Sequence, residues 1–283
     1  VHNFLTDLQQ HAFLQYACLA GLLASVACGI IGTYVVVRRI TYIAGAISHT
    51  VLAGLGAALY LKRAKIVPDL DPLYGAVAAA LLAALIVGLV SLRAKEREDT
   101  VIGAVWAIGM AIGILFVSQT PGYNTDLMSF LFGNILMVSG HDLWLMGLLD
   151  ICIVVLVAAF YNKFLSVCFD DEFARLRGVA VEFYYLLLLC LTALTVVVLV
   201  SVVGIVMVIA LLTLPTAIAS FFCKSLIRMM LMSAGLCAFF TLSGLAVSYN
   251  PDFPAGATII VIAGITYVAV LAVKSILSYG HTS

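Results

Sequence analysis

Two ionisable side chains stand inside stretches that are otherwise built for a bilayer. His49 lies in the run from Ile43 to Thr50, flanked by Ser48 and Thr50, with Gly45 one helical turn back on the same face. A neutral imidazole is a good ligand for zinc and other first-row metals, which makes His49 a candidate metal contact. The alternative is a histidine hydrogen-bonded to a neighbouring helix. Asp150 stands between Leu149 and Ile151. A carboxylate there could pair with His49, hold a cation in transit, or be protonated and hydrogen-bonded within a bundle. An ionisable group at the bilayer centre costs about 2.5–3.5 kcal/mol by insertion scales, so it turns to a cavity or a partner. Pro215 breaks the apolar run around Leu212 to Thr216, because its missing N–H frees a carbonyl one turn back. Such a kink lines a pathway or serves packing, and Thr213 and Thr216 can bond the helix backbone.

Other chemistries lack their motifs. There is no phosphate-binding loop of the GxxxxGK[ST] type and no HExxH, so neither nucleotide hydrolysis nor zinc proteolysis is supported. The seven cysteines, odd in number and without a CxxC pair, argue against a disulfide framework or a zinc ribbon and read as small buried apolar residues.

The elements that must position His49 and Asp150 follow from composition. Of 283 residues 64% are apolar and 10% charged, with a mean hydropathy of +1.20. Soluble domains carry roughly 25% charged residues. Fourteen basic and fourteen acidic residues cancel, which leaves no footprint for nucleic acid. A bilayer core of about 30 Å needs about 20 apolar residues per helix. Nine runs meet that length, near 12–37, 43–61, 73–92, 100–118, 141–161, 183–200, 204–222, 229–248 and 256–273. The chain therefore reads as one all-α, polytopic transmembrane domain over 1–283. The stretch 183–223 has no charge and is split near Ser201–Gly204, so eight spans are the alternative. The stretch 127–138 is apolar but short and reads as interfacial or re-entrant. The first eleven residues carry no Lys or Arg, unlike the start of a cleavable signal peptide.

With the N-terminus outside and the C-terminus cytoplasmic, eleven of the fourteen Lys and Arg fall inside, and only Lys62, Arg63 and Lys65 outside. That obeys the positive-inside rule, and the reverse orientation inverts it. Gly21, Gly29, Gly32, Gly54, Gly56, Gly109 and Gly113 recur within the spans, where small residues let helix backbones approach.

Four stretches, in order, resemble a known family: Gly29 to Arg39 followed by Ala46 to Gly54; Leu131 to Leu136; Asp171 to Val179; and Val203 to Pro215, with Asp252 to Gly256 beyond. From about residue 14 to 274 the chain resembles the membrane subunit of ATP-binding-cassette importers for zinc, manganese and iron. The resemblance implies a permease of a bacterial cytoplasmic (inner) membrane, itself no enzyme and without a permanently bound cofactor. It moves a divalent transition-metal ion by alternating access. Implied partners are two copies of an ATPase subunit, a second permease and an extracytoplasmic metal-binding protein.

The resemblance also implies roles. His49 belongs to the metal pathway, and Asp171, Glu172, Phe173, Ala174, Arg175 and Gly178 fall in the cytoplasmic segment that docks on the ATPase. The family often carries an aspartate four residues before this histidine, where this chain has Gly45. Losing that oxygen ligand leaves imidazole and leans slightly towards zinc over manganese or iron, with Asp150 as a hypothetical substitute. Two other readings stay open. An ion-coupled secondary carrier would show an internal repeat with paired broken helices. A membrane-embedded metalloenzyme would need at least three converging ligands.

Overall fold

An apolar run in lipid must satisfy every backbone N–H and C=O within itself, and a helix does so. The computed structural model describes residues 2–93, 98–120, 133, 135–251 and 253–279. Among them there is no strand, and nine helices are long and apolar enough to cross a membrane. In chain order these are α2 (Ala12–Val37), α3 (Thr41–Arg63), α4 (Pro72–Arg93), α5 (Glu98–Gln119), α6 (Gly140–Phe169), α8 (Val181–Val203), α9 (Ile205–Phe222), α10 (Leu226–Tyr249) and α11 (Ala255–Tyr279). Two short helices join them, α1 (His2–Gln10) and α7 (Asp171–Leu176). The expectations for Lys95, Arg97, Asp126, Leu131, Phe132, Asn134 and Asp252 lie outside the described residues. Of the stretch 127–138, Ile135–Met137 forms a 3-10 turn.

Two packing groups share the bundle. In one, α2 sits at the centre against α6, α8, α9 and α10; in the other, α3 packs against α4 and α5. Helix α8 bridges them by packing on α3 and α4 as well as α2. Lipid tails are as apolar as leucine, so close packing rather than water exclusion holds such helices together. The glycines supply it. A Cβ on Gly54 would run into the Gly75 carbonyl, and one on Gly75 into the Gly54 carbonyl, so α3 and α4 cross backbone against backbone. A Cβ on Gly32 would likewise strike the Leu212 carbonyl of α9. Buried hydroxyls bond back into their own helices: Thr33 donates to the Gly29 carbonyl at 2.7 Å and Thr192 to that of Leu188 at 2.9 Å.

The uncharged stretch 183–223 does divide where the sequence places it. Gly204 adopts φ 82° and alone separates α8 from α9. Such a left-handed value is one glycine accepts freely. Gly133, also at φ 63°, lies against this joint, where an added Cβ would meet the Val203 carbonyl and the Gly204 nitrogen. One expectation changes. Helix α6 runs on to Phe169, past the expected end at 161, because the polar Tyr161, Asn162 and Lys163 end the apolar run but not the helix; its one break in helical geometry is at Phe160. Pro215 lies inside α9, which runs on to Phe222 as the run 204–222 implies.

The two ends of the bundle differ. At one end α7 lies beside the α2–α3 turn and the start of α8. At the other, Asp71 before α4, His141 and Asp142 at the start of α6, and Ser201 near the end of α8 surround a cavity of about 230 Å³.

Candidate functional site

Helix α2 stops at Arg38, and the chain turns through Arg39 in the left-handed region at φ 62°. Ile40 N–H donates to the Val35 carbonyl at 2.9 Å and Arg39 N–H to that of Val36 at 3.1 Å, the hydrogen-bond pattern of a Schellman stop. The turn delivers the chain into α3, whose third turn carries His49.

His49 is buried, with 9% of its surface exposed. Its hydroxyl neighbours are occupied: Ser48 donates to the Ala44 carbonyl at 2.8 Å and Thr50 to that of Ala46 at 2.8 Å. The imidazole lies against the indole of Trp106 on α5, ring centres 4.5 Å apart and planes inclined by 21°. Its Nδ1 has no hydrogen-bond partner. Buried polar atoms are nearly always paired, and leaving one bare costs about 1–3 kcal/mol. A neutral imidazole held this way retains a lone pair for a ligand.

The same indole accounts for Gly45. A Cβ built there would lie 2.8 Å from Cζ3 of Trp106, so the tryptophan fills the space that a carboxylate at this position would use. The sequence reading missed Trp106, since a lone aromatic in an apolar run looks like any lipid-facing or core residue. The spacing becomes a signal once one pair is known. His49 and Trp106 are separated by 57 positions, as are Gly56 and Gly113, and a Cβ on Gly56 would come within 2.8 Å of the Gly113 carbonyl. Helices α3 and α5 thus run side by side in one constant register.

Asp150 is also buried, 8% exposed, and one carboxylate oxygen, Oδ2, lacks a partner. It faces α2, beside Ala27 and Cys28. Cys28 in turn meets the thiol of Cys237 on α10. His49 and Asp150 therefore have separate surroundings, and no described contact joins them. Among the described residues no three His, Cys, Asp or Glu side chains converge to hold a metal. All seven cysteines are free thiols.

The segment 171–179 forms a compact surface feature. Asp170 caps α7, its carboxylate accepting from Phe173 N–H at 2.9 Å. Asp171 accepts a hydrogen bond from the Arg38 guanidinium at 2.6 Å, an ion pair that clasps α7 to the α2–α3 turn. Ala174 is buried against the bundle, whereas Glu172, Phe173 and Arg175 face outwards. Arg177 covers one face of Phe173, its guanidinium 5.0 Å from the ring centre. Gly178, at φ 73°, ends the helix, and Val179 N–H returns to the Ala174 carbonyl at 3.0 Å. Gly178 thus serves the turn itself. Arg38 also reaches over the ring of Tyr185 at 5.5 Å, and Tyr185 shares a 3.1 Å hydrogen bond with Ser91 at the end of α4. The ends of α2, α4 and α6 and the starts of α3 and α8 are tied together here.

Comparison with known proteins places this arrangement. Over residues 10–274 the chain matches the ABC 3 transport family. It is 43% identical over 256 residues to a probable metal transport system membrane protein of Chlamydia pneumoniae, covering 90% of this chain and 87% of that one. It is 33% identical over 265 residues to the manganese transport system membrane protein MntC of Listeria monocytogenes, covering 93% and 91%. Among solved structures, PsaBC from Streptococcus pneumoniae in complex with Fab superposes with a TM-score of 0.84 at 29% identity, covering 95% of this chain and 94% of that one. The chain belongs to the ABC 3 transport family.

Proposed function

We propose that this chain is the membrane-spanning permease of an ATP-driven importer for a divalent first-row transition-metal ion, seated in a bacterial cytoplasmic membrane. ATP is hydrolysed on a separate ATPase chain. Two such chains, a second permease and an extracytoplasmic metal-binding protein complete the assembly. The end carrying α7 faces the cytoplasm, and the Asp71, His141 and Asp142 end faces outwards. The binding protein delivers the ion there, and the bundle passes it inwards by alternating access, with His49 as the deep contact.

The observation that carries this reading is the Arg38–Asp171 clasp. The exposed face of α7, with Glu172, Phe173 and Arg175, offers the ATPase a charged and apolar handle. The clasp joins that handle to the turn that leads into α3 and His49. Movement of α7 is passed on to the helix that holds the ion.

The relatives named for manganese favour that ion. The imidazole at His49, with an indole instead of a carboxylate beside it, favours zinc. Uptake of both ions by cells co-expressing the ATPase and binding protein tests the proposal. The expected result is uptake that requires the ATPase and is abolished by His49→Ala and by Glu172→Lys, with the protein still in the membrane. Uptake that persists without the ATPase would overturn the reading in favour of an ion-coupled carrier.

A further inference from the structure

Trp106 has two faces. One is stacked on His49; the indole also borders a cavity of about 440 Å³ shared with Tyr42, Asp99, Ile102 and Gly103. Tyr42 and Asp99 repeat the register of the pair above them, again 57 positions apart. Each lies seven residues, two helical turns, before its partner on the same helix, which puts it about 10 Å nearer the α7 end. The seam between α3 and α5 therefore carries two levels: a buried imidazole with a bare Nδ1, and below it an open cavity with a carboxylate and a phenol.

We propose that this cavity is a second station for the divalent cation, with the Asp99 carboxylate as its donor and the Tyr42 phenol beside it, and with Trp106 as the partition between it and His49. The inference rests on the permease reading and deepens it, since it names where the ion waits after leaving the buried histidine. Three features carry it. A divalent ion favours oxygen when hard and prefers several donors, and the cavity offers a carboxylate, a phenol and room for water where His49 offers one imidazole. The carboxylate opens to solvent, where an ion can regain water and leave. The indole of Trp106 belongs to both levels, so an ion passing from one to the other must displace it.

The cavity can be probed without distorting it. An added Cβ at Gly103 meets nothing within 4 Å, so Gly103→Cys places a thiol in the cavity wall. In nanodiscs holding the permease with its ATPase, the maleimide reaction at position 103 is followed by mass spectrometry, which separates it from the seven native cysteines. The probe is Mn²⁺, a weak thiol binder. The expected result is a fivefold or greater slowing by Mn²⁺ that disappears in Asp99→Asn and survives in Asp99→Glu. An unchanged rate, or equal slowing with Asp99→Asn, overturns the station. ATP-driven uptake of Mn²⁺ or Zn²⁺ by the same complex in proteoliposomes, with its binding protein, reads the permease assignment separately. Intact uptake without Asp99-dependent protection overturns the station and leaves the assignment standing, whereas absent uptake removes both.

Discussion

Arg38 and Asp171, 133 residues apart in the chain, meet at 2.6 Å at the edge of the bundle. Both side chains remain partly exposed, at 24% and 35%, and an ion pair of that kind contributes about 0–1 kcal/mol to stability. Its value lies in position. It is the described link between a helix whose outer face is open and the turn that starts α3.

Breaking the clasp should therefore uncouple more than it unfolds. Asp171→Asn is expected to change thermal stability in detergent by less than about 1 kcal/mol, while metal-stimulated ATPase activity in the reconstituted complex falls several-fold. Exchanging the charges, Arg38→Asp with Asp171→Arg, should recover part of that loss. Equal loss in the single and exchanged variants would mean that the pairing is not what matters.

The indole over Gly45 predicts a conflict. Gly45→Asp alone should depress uptake of both zinc and manganese about tenfold or more, because the carboxylate meets Trp106. Combining it with Trp106→Ala should recover uptake, with manganese gaining over zinc as an oxygen donor joins the imidazole. Simple additivity of the two changes would show that the sites do not interact.

Close backbone approach makes some glycines irreplaceable and leaves others free. Gly54→Ala must push α3 from α4 and is expected to cost about 1–3 kcal/mol, read as a lower unfolding midpoint in a detergent titration. Gly147→Ala, where an added Cβ meets nothing within 4 Å, should leave the midpoint unchanged.

The buried hydroxyls of Thr216 and Ser233 share a hydrogen bond of 2.6 Å between α9 and α10. Interhelical hydrogen bonds in membrane proteins contribute about 0.6 kcal/mol on average and under about 2. Ser233→Ala should lower stability by that order. Thr216→Val with Ser233→Ala should cost less than the sum of the single changes, since no polar group is then left alone.

Much of the bundle was legible in the sequence because the bilayer makes severe and local demands. The nine apolar runs correspond to nine spanning helices among the described residues, and the glycines read as packing contacts proved to be so at Gly32, Gly54 and Gly56. The joint at Gly204 was legible as an interruption in a long uncharged stretch. Pro215 sits inside α9 without ending it, as the run 204–222 implied, because a helix in a packed bundle tolerates a missing N–H. Thr213 bonds its own helix, to the Ile209 carbonyl at 2.8 Å, whereas Thr216 turns to Ser233.

The candidate site was harder to read. His49 and Asp150 could be singled out by residue type, since each is an ionisable group in an apolar run. Their company could not. Whether Asp150 meets His49 on α3 or Cys28 on α2 depends on which helices neighbour α6, and no local pattern specifies that. Trp106 was hidden for the same reason, because it matters only through a pairing across two separate helices. The spacing of 57 residues becomes visible as a rule only once one pair is known.

The lock between α3 and α5 has a mechanical consequence. Gly109 and Gly113 of α5 fit against Thr50 and Leu52 of α3, and Thr50 donates a further bond to the Val105 carbonyl at 3.3 Å. Helices so interlocked are built to move together. The histidine and its aromatic cover are mounted on that same pair. Sliding one helix along the other would not part them. On the proposed reading, release of an ion from His49 would come from rotation of the indole about its own bonds, or from a wall that another part of the importer brings up or withdraws.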